Sequence, residues 1–274
     1  MCNFFSFVTD EKGNKYYFDW EQRQKHITEG KSSSELDSHS YIANYYNFKD
    51  TTSQFSKKQE KCLNKYEYNP LTKEFTKDYI GKFDDSKEAE EWVKSVDFKT
   101  IIKPLIIKPF FNPLTDRNPK TVTKKDKELL EQWASVRASV GYSVGNSVRA
   151  SVRSSVWDSV WNSVWASVRA SVGASVRSSV WDSVWNSVWA SVRASVGDSV
   201  RDSVRASVGN NVRDSVGDSI WAYTSSHFDI EFDYDFSPVV KLWERGYVPS
   251  FDGKAWRLHK GPDAKIVYTW EKGE

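Results

Sequence analysis

Hydrophobic and polar positions between Trp133 and Ile220 recur every four residues without interruption. The run divides into 22 tetrads, each with Trp, Arg or Gly first, a mostly small residue second, Ser third and Val fourth. The exceptions include Tyr142 at the second place, Asn211 at the third and Ile220 at the fourth. A strict period of this kind is the signature of a repeat architecture. We therefore expect a central repeat module with the flanking segments as caps.

An α-helix is a poor match to this pattern. Four residues advance a helix by about 400°, so a row of Val would drift by about 40° per tetrad. Ser and Val are middling helix formers, and each of the six Gly in the run costs up to about 1 kcal/mol relative to Ala. Because Val favours a pleated chain, we expect extended tetrads. Alternation then puts Val and the small residue on one side, and Ser with Trp, Arg or Gly on the other.

Equivalent tetrads that each turn by the same amount predict a β-solenoid with one tetrad per side and Val directed inward. Three or four sides both fit the period. The block Arg153–Val176 recurs almost unchanged at Arg177–Val200, which suits two three-sided coils but equally a duplication of the coding DNA. Four sides are favoured because the tetrad, as in Ala166-Ser167-Val168, resembles the pentapeptide-repeat family with one residue removed. That resemblance implies a fold and no particular activity.

The N-terminal flank is predicted to be an α+β domain over residues 1–120. Apolar residues at 2–8 and 15–20 predict two strands around a polar turn. Asn69-Pro70-Leu71-Thr72 has the chemistry of a hairpin turn. Asp85, with Glu88 three residues later, predicts the start of a helix.

The other boundaries follow from the limits of the repeat. Residues 121–132 predict a capping helix that begins at Thr123 and covers the first coil of the solenoid, which spans 133–222. Residues 223–274 predict a small α+β cap. In this cap the alternating segment Phe228–Phe236 predicts a strand and Ser237-Pro238 the start of a helix. The expected fold class is mixed, with two α+β caps around a β-solenoid.

The caps resemble a family of phage- and prophage-associated proteins that place short-period repeats between similar flanks. The motifs that carry the resemblance are Met1-Cys2-Asn3-Phe4, Asp37-Ser38-His39, Lys65-Tyr66-Glu67-Tyr68-Asn69-Pro70-Leu71, Asp97-Phe98-Lys99-Thr100-Ile101 and Leu242-Trp243-Glu244-Arg245-Gly246-Tyr247-Val248-Pro249-Ser250-Phe251-Asp252-Gly253. The resemblance implies a mobile-element origin and brings no catalytic residues with it.

The charge and composition of the chain limit the classes of partner that we expect. The formal net charge of the chain is +2, so no strong attraction to nucleic acid or membrane is implied. Nine Arg against six Asp leave the repeat at about +3, which does not suit an acidic DNA mimic, and without Lys the basic surface is thin. Nucleic acid therefore stays open as a partner but is not favoured. Two cysteines make no disulfide framework, and no apolar stretch is long enough to span a membrane. We expect a protein of the bacterial host cytoplasm.

Cys2 is the strongest catalytic candidate. Removal of Met1 would expose a free amine beside a thiol, as in N-terminal nucleophile hydrolases, with His39 as base or orienting group and Asp37 beside it in sequence. The alternative is that Cys2 begins a buried strand while Asp37 and His39 belong to a capping loop. Two Cys and four scattered His have no zinc-ligand spacing, and no phosphate-binding loop occurs, so neither metal nor cofactor is predicted.

The first place of the tetrad is the second candidate site. In a four-sided coil it forms an outer row that stacks Trp165 between Arg149 and Trp181. Such a face suits a protein partner or self-association, and it equally suits stabilisation of the solenoid itself. The residues proposed for this binding face are Trp157, Trp161, Trp165, Trp181, Trp185, Trp189, Arg153, Arg169 and Arg177. The sequence thus predicts a phage-derived interaction protein built on a rigid scaffold. The alternative function is that of an N-terminal-Cys amidohydrolase.

Overall fold

A computed structural model describes residues 5–29, 36–48, 63–140, 144–155, 158–193 and 198–271. The described residues form an α+β fold with two small antiparallel sheets, and the repeat is helical. The chain divides into two compact units. Unit 1 comprises Met1–Pro109 with Val152–Val164, and unit 2 comprises Phe110–Ser151 with Trp165–Glu274.

The N-terminal part of unit 1 is built on a four-stranded sheet. Its elements are β1 (Phe5–Asp10), β2 (Lys15–Tyr16), α1 (Trp20–Thr28), α2 (His39–Tyr45), β3 (Leu63–Asn69), β4 (Glu74–Tyr79), α3 (Ser86–Ser95) and a 3-10 turn (Phe98–Thr100). The strand order is β2-β1-β3-β4, with every pair antiparallel. Phe5 and Phe7 of β1 are fully buried. Their rings contact Phe98 and Trp92, with centroids 5.3 and 4.9 Å apart. The aromatic residues of the first strand therefore form the centre of this core.

Local sequence signals placed these elements well. The predicted hairpin is confirmed as β3 and β4, and the side chain of Asn69 accepts hydrogen bonds from the backbone of Leu71 and Thr72. The helix predicted after Asp85 is also confirmed. The carboxylate of Asp85, however, makes no capping bond to its helix and instead accepts hydrogen bonds from Asn64 and Tyr66, both at 2.6 Å. It joins the start of α3 to β3.

The prediction of a β-solenoid is wrong, because the described part of residues 133–222 forms helices and no solenoid or closed sheet is present among the described residues. The helices are α4 (Lys124–Val140), α5 (Val144–Ser155), α6 (Asp158–Val168), a π-helical segment (Arg169–Gly173), α7 (Ala174–Arg193) and α8 (Asp198–Ser225). Neither the three-sided nor the four-sided coil applies.

Drift of the Val row, the reason for rejecting a helix, is reduced in two ways. First, the repeat is divided, so that α4 and α5 each carry at most three tetrads, whereas α6, the π segment and α7 follow one another without a gap. Second, the π segment has i→i+5 hydrogen bonds and therefore more residues per turn, which brings the four-residue period closer to the helical one. The valines from Val164 to Val184 at four-residue intervals are all at most 2% exposed.

Serine and glycine in the repeat also have helical roles that propensity scales do not capture. The hydroxyls of Ser215 and Ser219 are buried and donate to the carbonyls of Val212 and Val216 in their own helix, at 3.0 and 2.7 Å. Each hydroxyl hydrogen is therefore satisfied within the helix, and the oxygen of Ser215 also accepts a hydrogen bond from the backbone N–H of Phe251 at 2.9 Å. A Cβ added to Gly145 would lie 2.9 Å from the indole of Trp221, so glycine admits a Trp ring against the helix backbone.

The remaining elements of unit 2 are α9 (Ser237–Glu244), β5 (Val248–Phe251), β6 (Ala255–Lys260) and β7 (Lys265–Glu271). β6 and β7 form an antiparallel hairpin, and β5 adds a third antiparallel strand. Thr123 begins α4 as predicted, since Thr123 and Asp126 exchange hydrogen bonds across its first turn. The strand predicted at Phe228–Phe236 is not observed.

A buried ion pair joins the two ends of the repeat. Arg137 Nε of α4 lies 2.7 Å from Asp218 Oδ2 of α8, and both side chains are about nine-tenths buried. Burial raises the pKa of Asp218, and the charge of Arg137 opposes this shift. The guanidinium also lies over the rings of Phe251 and Trp256, at 5.9 and 5.8 Å from their centroids. One cation thus connects two helices and the C-terminal sheet.

We expect Asp218→Asn to lower the free energy of unfolding by about 3–5 kcal/mol, because it leaves Arg137 buried without its counter-charge. Asp214→Asn is the matched control, since Asp214 lies one turn earlier on α8 and is exposed; it should change the value by under about 1 kcal/mol. Urea unfolding followed by circular dichroism measures both. Equal stabilities for the two variants would show that the buried pair contributes nothing.

Two glycines of the repeat provide a test of the helix packing. Gly145→Ala should lower the free energy of unfolding by about 1–3 kcal/mol, because the new methyl group overlaps the ring of Trp221. Gly217→Ala meets no atom within 4 Å and should raise it by about 0.5–1 kcal/mol through helix propensity. Opposite shifts of the urea midpoint are the expected outcome. A stabilising Gly145→Ala would contradict the placement of Trp221 on α5.

Candidate functional site

Where it is described, the first place of the tetrad packs helices against one another. Trp165 stacks on Trp221, with ring centroids 5.2 Å apart. Arg169 lies over Trp165 at 5.0 Å, and Arg149 lies over Trp221 at 5.4 Å. The register expected from a four-sided coil, with Trp165 between Arg149 and Trp181, is therefore wrong. Cation–π contacts of this kind stabilise the association of α6 and the π segment with α5 and α8.

Other predicted members of the binding face are only partly available to a partner. Trp161 is 1% exposed, and Trp181 is half-buried with its ring over Gly209. Arg177 is half-buried, and burial together with the charge of Arg169 lowers its pKa. Trp157 lies outside the described residues. The side chains of Arg153 on α5 and of Trp185 and Trp189 on α7 also lie outside the described part of the structure.

The predicted catalytic residues Asp37 and His39 have separate partners. Asp37 Oδ1 accepts a 2.7 Å hydrogen bond from Arg23 in a buried ion pair. The ring of His39 lies between the carbonyl of Tyr66, 2.9 Å from Nε2, and the carboxylate of Asp78, 3.3 Å from Nδ1. Neither nitrogen is bonded to Asp37. Cys2 lies outside the described residues, and its assistance by His39 stays a prediction.

Asp78 reaches His39 from a β-bulge. Lys65 pairs with Tyr79 while Tyr66 pairs with Lys77, which leaves Asp78 as the additional residue of β4. A bulge redirects the side chain of its additional residue. The arrangement fixes α2, which begins at His39, to the sheet of unit 1.

A buried serine–histidine pair lies in the C-terminal sheet. Ser250 Oγ is 2.7 Å from His259 Nε2, and His259 Nδ1 is 2.8 Å from the carbonyl oxygen of Ala264. Because a carbonyl can only accept, Nδ1 carries the proton and Nε2 accepts from the serine hydroxyl. This is the polar geometry of a nucleophile and its base, but both residues are fully buried. The pair links β5 to β6 and to the turn that follows β6.

An aromatic groove lies between the end of α8 and the start of α9. Its volume is about 420 Å³, and its apolar lining consists of Phe228, Ile230, Phe232, Tyr234, Phe236 and Val240. The serine hydroxyls beside it are already engaged, because Ser225 and Ser226 donate to carbonyls of their own helix. The groove therefore offers mainly apolar and aromatic surface.

Exposure alternates along the segment that forms this groove. The apolar residues at even numbers from 230 to 236 are half-buried or buried. The residues between them are all acidic and exposed, and they are Asp229, Glu231, Asp233 and Asp235. Among the described residues no strand pairs with 229–235. The alternation predicted a strand, and what it marks here is a ribbon with an acidic outer edge and an aromatic inner edge.

A second cavity, the acidic cleft, adjoins the aromatic groove at Asp235. It has a volume of about 450 Å³, and its polar lining includes Glu128, Glu131, Gln132, Ser135 and Asp235. The carboxylate of Asp235 accepts from the backbone N–H of Ser237 at 2.8 Å and from its hydroxyl at 3.2 Å. Asp235 is therefore held at the start of α9, where the two cavities meet.

These two cavities were missed in the sequence. Glu128 and Glu131 lie within the predicted capping helix and were not singled out as candidates, and Phe228–Phe236 was predicted to be a strand. The usable signal was the strict alternation of acid with aromatic or aliphatic residues over Phe228–Phe236, which is unusual for a simple edge strand. Only the contact of this segment with α4 and α9 brings the three carboxylates of the cleft together.

Comparisons with protein-family models, curated proteins and solved structures find no match to this chain. In the described part of the chain, no helix is long and apolar enough to cross a membrane. No group of three or more metal-binding side chains is found among the described residues.

His259 makes the stability of the folded protein depend on pH. Burial lowers its pKa to about 4, against 6.5 for an ordinary histidine, and the charge of Arg257 acts in the same direction. The unfolded chain therefore binds a proton more readily than the folded one between about pH 6.5 and 4. We expect the free energy of unfolding to fall by up to about 3 kcal/mol as the pH drops through this window.

Urea unfolding between pH 4 and pH 7 measures this slope. His259→Gln keeps polar contacts at the site but cannot take up a proton, so the variant should lose that part of the slope. His26→Gln serves as the matched control. An unchanged slope in His259→Gln would show that His259 is not the group responsible.

Proposed function

We propose that this protein is an interaction protein that binds a segment of a partner protein in the aromatic groove. The observation that carries the proposal is the alternating ribbon Phe228–Phe236, whose apolar side chains line an open cavity instead of a closed core. Aromatic side chains dominate binding at interfaces, because each buries a large area at a small cost in conformational entropy.

The geometry of the groove favours binding over catalysis. Its three serine hydroxyls donate to nearby carbonyl and carboxylate oxygens, so they act as structural groups. Ser250 and His259, which have the polar geometry of a catalytic pair, lie buried in the sheet and are not part of the groove lining. Trp165, Arg149 and Arg169 stack between helices, which supports a role as a scaffold for the first place of the tetrad.

We extend the proposal to the setting of the protein. The resemblance of the caps to phage- and prophage-associated proteins supports a mobile-element origin and a role in phage–host conflict. The absence of a disulfide framework in the sequence is compatible with a bacterial cytoplasm. Protein, not nucleic acid or membrane, is the partner that an aromatic groove with an acidic edge suits.

Selection from a random peptide library against the full-length protein tests the proposal. We expect selected peptides to share an apolar or aromatic residue, and Phe232→Ala to weaken their binding by about tenfold or more, as expected for an anchor site. Tyr45→Ala is the matched control, because Tyr45 is an exposed aromatic residue of unit 1 that lies outside the groove. Chemical-shift changes should map to residues 225–240. Peptides that bind Phe232→Ala as tightly as the unchanged protein would overturn the proposal.

A further inference from the structure

Exposed acidic side chains alternate in sequence with the apolar side chains that line the aromatic groove, and Asp235 itself lines it. Along the ribbon, Asp229, Glu231 and Asp233 are exposed, and among the described residues none of them lies in an ion pair. The sequence from Phe228 to Phe236 contains no Lys or Arg. Every second side chain of this edge therefore presents a carboxylate that has no cation of its own.

The acidic cleft continues this charge beyond the ribbon. Glu128, Glu131 and Asp235 line it. Lys124 and Lys241 lie on the helices that line the cleft, and neither neutralises it. Lys124 is 3.7 Å from Glu128, but both side chains are largely exposed, so the pair is weak. Lys241 Nζ is 3.3 Å from the hydroxyl of Ser237. Carboxylates above an apolar wall attract cations more strongly than isolated surface carboxylates do.

The shared position of Asp235 makes the two cavities one composite surface. Apolar side chains of a ligand would enter the aromatic groove, while its cationic side chains would face the ribbon edge and the acidic cleft. A ligand segment in which apolar and cationic residues alternate has the complementary pattern, since alternate side chains of an extended chain point to opposite sides. We propose, on the basis of the function proposed above, that the ligand is a basic segment of a partner protein in which Lys or Arg alternates with apolar residues.

The negative charge of this surface favours a basic peptide over nucleic acid, anionic membranes and acidic peptides. Nucleic-acid phosphates and anionic lipid headgroups would be repelled by the carboxylates of the ribbon and the cleft. An acidic peptide would be repelled in the same way. A basic peptide gains both long-range attraction, which raises its association rate, and apolar burial, which slows its dissociation.

Binding of two short fluorescent peptides to the full-length protein tests this inference. One alternates Lys with Phe and Leu, and the other carries Glu at each Lys position. We expect the Lys peptide to bind at least about tenfold more tightly than the Glu peptide at low salt. Its affinity should fall as the salt rises from about 50 to 300 mM, because screening acts on exposed charges. A thymidine oligonucleotide and vesicles with anionic headgroups should bind more weakly than the Lys peptide.

Two kinds of variant measure separately how the carboxylates and the aromatic groove contribute to binding. Asp229→Asn/Asp233→Asn should weaken the Lys peptide about tenfold and flatten its salt dependence, and it should strengthen binding of the Glu peptide because two repelling charges are removed. The matched control is Asp263→Asn, because Asp263 is an exposed acid in the turn between β6 and β7, whereas Asp229 and Asp233 are immediate sequence neighbours of the groove residues Phe228, Ile230, Phe232 and Tyr234. Phe232→Ala should weaken both peptides. Circular dichroism checks that each variant is folded.

Each outcome bears on one of the two proposals. Equal binding of the Lys and Glu peptides, with loss of both in Phe232→Ala, would overturn the basic ligand and leave the aromatic groove in place. Binding of the Lys peptide that does not change in Phe232→Ala would overturn the groove as the binding site. Tighter binding of the oligonucleotide or of the vesicles than of the Lys peptide would also overturn the basic ligand.

Discussion

The buried ion pair between Arg137 and Asp218 is the constraint on which the organisation of unit 2 depends. It joins α4, at the start of the repeat, to α8, at its end, so residues 81 apart in sequence are held within hydrogen-bond distance. The same guanidinium lies over the rings of Phe251 and Trp256 and so connects the helices to the C-terminal sheet. A charge buried in this way must keep its partner, which gives the helix pair one preferred register. α4 and α8 also carry parts of the two cavities, since the acidic cleft opens from α4 and the ribbon follows α8.

Local elements of the caps could be predicted from the sequence because their signals act over a few residues. Asn69 in the hairpin turn and Thr123 at the start of α4 hold their own backbone neighbours, whatever the rest of the chain does. The fold of the repeat could not be predicted in this way. The period of four argued against a helix only on the assumption of one long, regular helix. That assumption does not hold, because the repeat is divided among several helices and contains a π segment. Both features depend on packing between distant tetrads.

The candidate site shows the same limit. The aromatic and acidic residues of Phe228–Phe236 were visible as an alternating pattern, and the pattern correctly indicated that the segment has two different edges. Its pairing could not be read from the sequence, because an alternating segment fits a strand and an unpaired ribbon equally well. Glu128 and Glu131 belong to the site only through the approach of α4 to Asp235. Asp37 and His39, two residues apart in the motif, bond to different elements, so proximity in sequence was a poor guide to shared chemistry.

The mismatch between four residues and one helical turn has a consequence for how this chain can change in length. Gain or loss of a whole tetrad leaves the chemical pattern of the repeat intact, so composition and burial preference do not oppose it. It nevertheless moves everything downstream by about 6 Å along the helix axis and turns it by about 40°. A Trp that had faced a Gly on another helix then faces the first place of a neighbouring tetrad, which can be Trp or Arg instead of Gly. The number of tetrads is therefore free to vary in the gene. Each new length, however, requires a different packing of Trp rings against glycines.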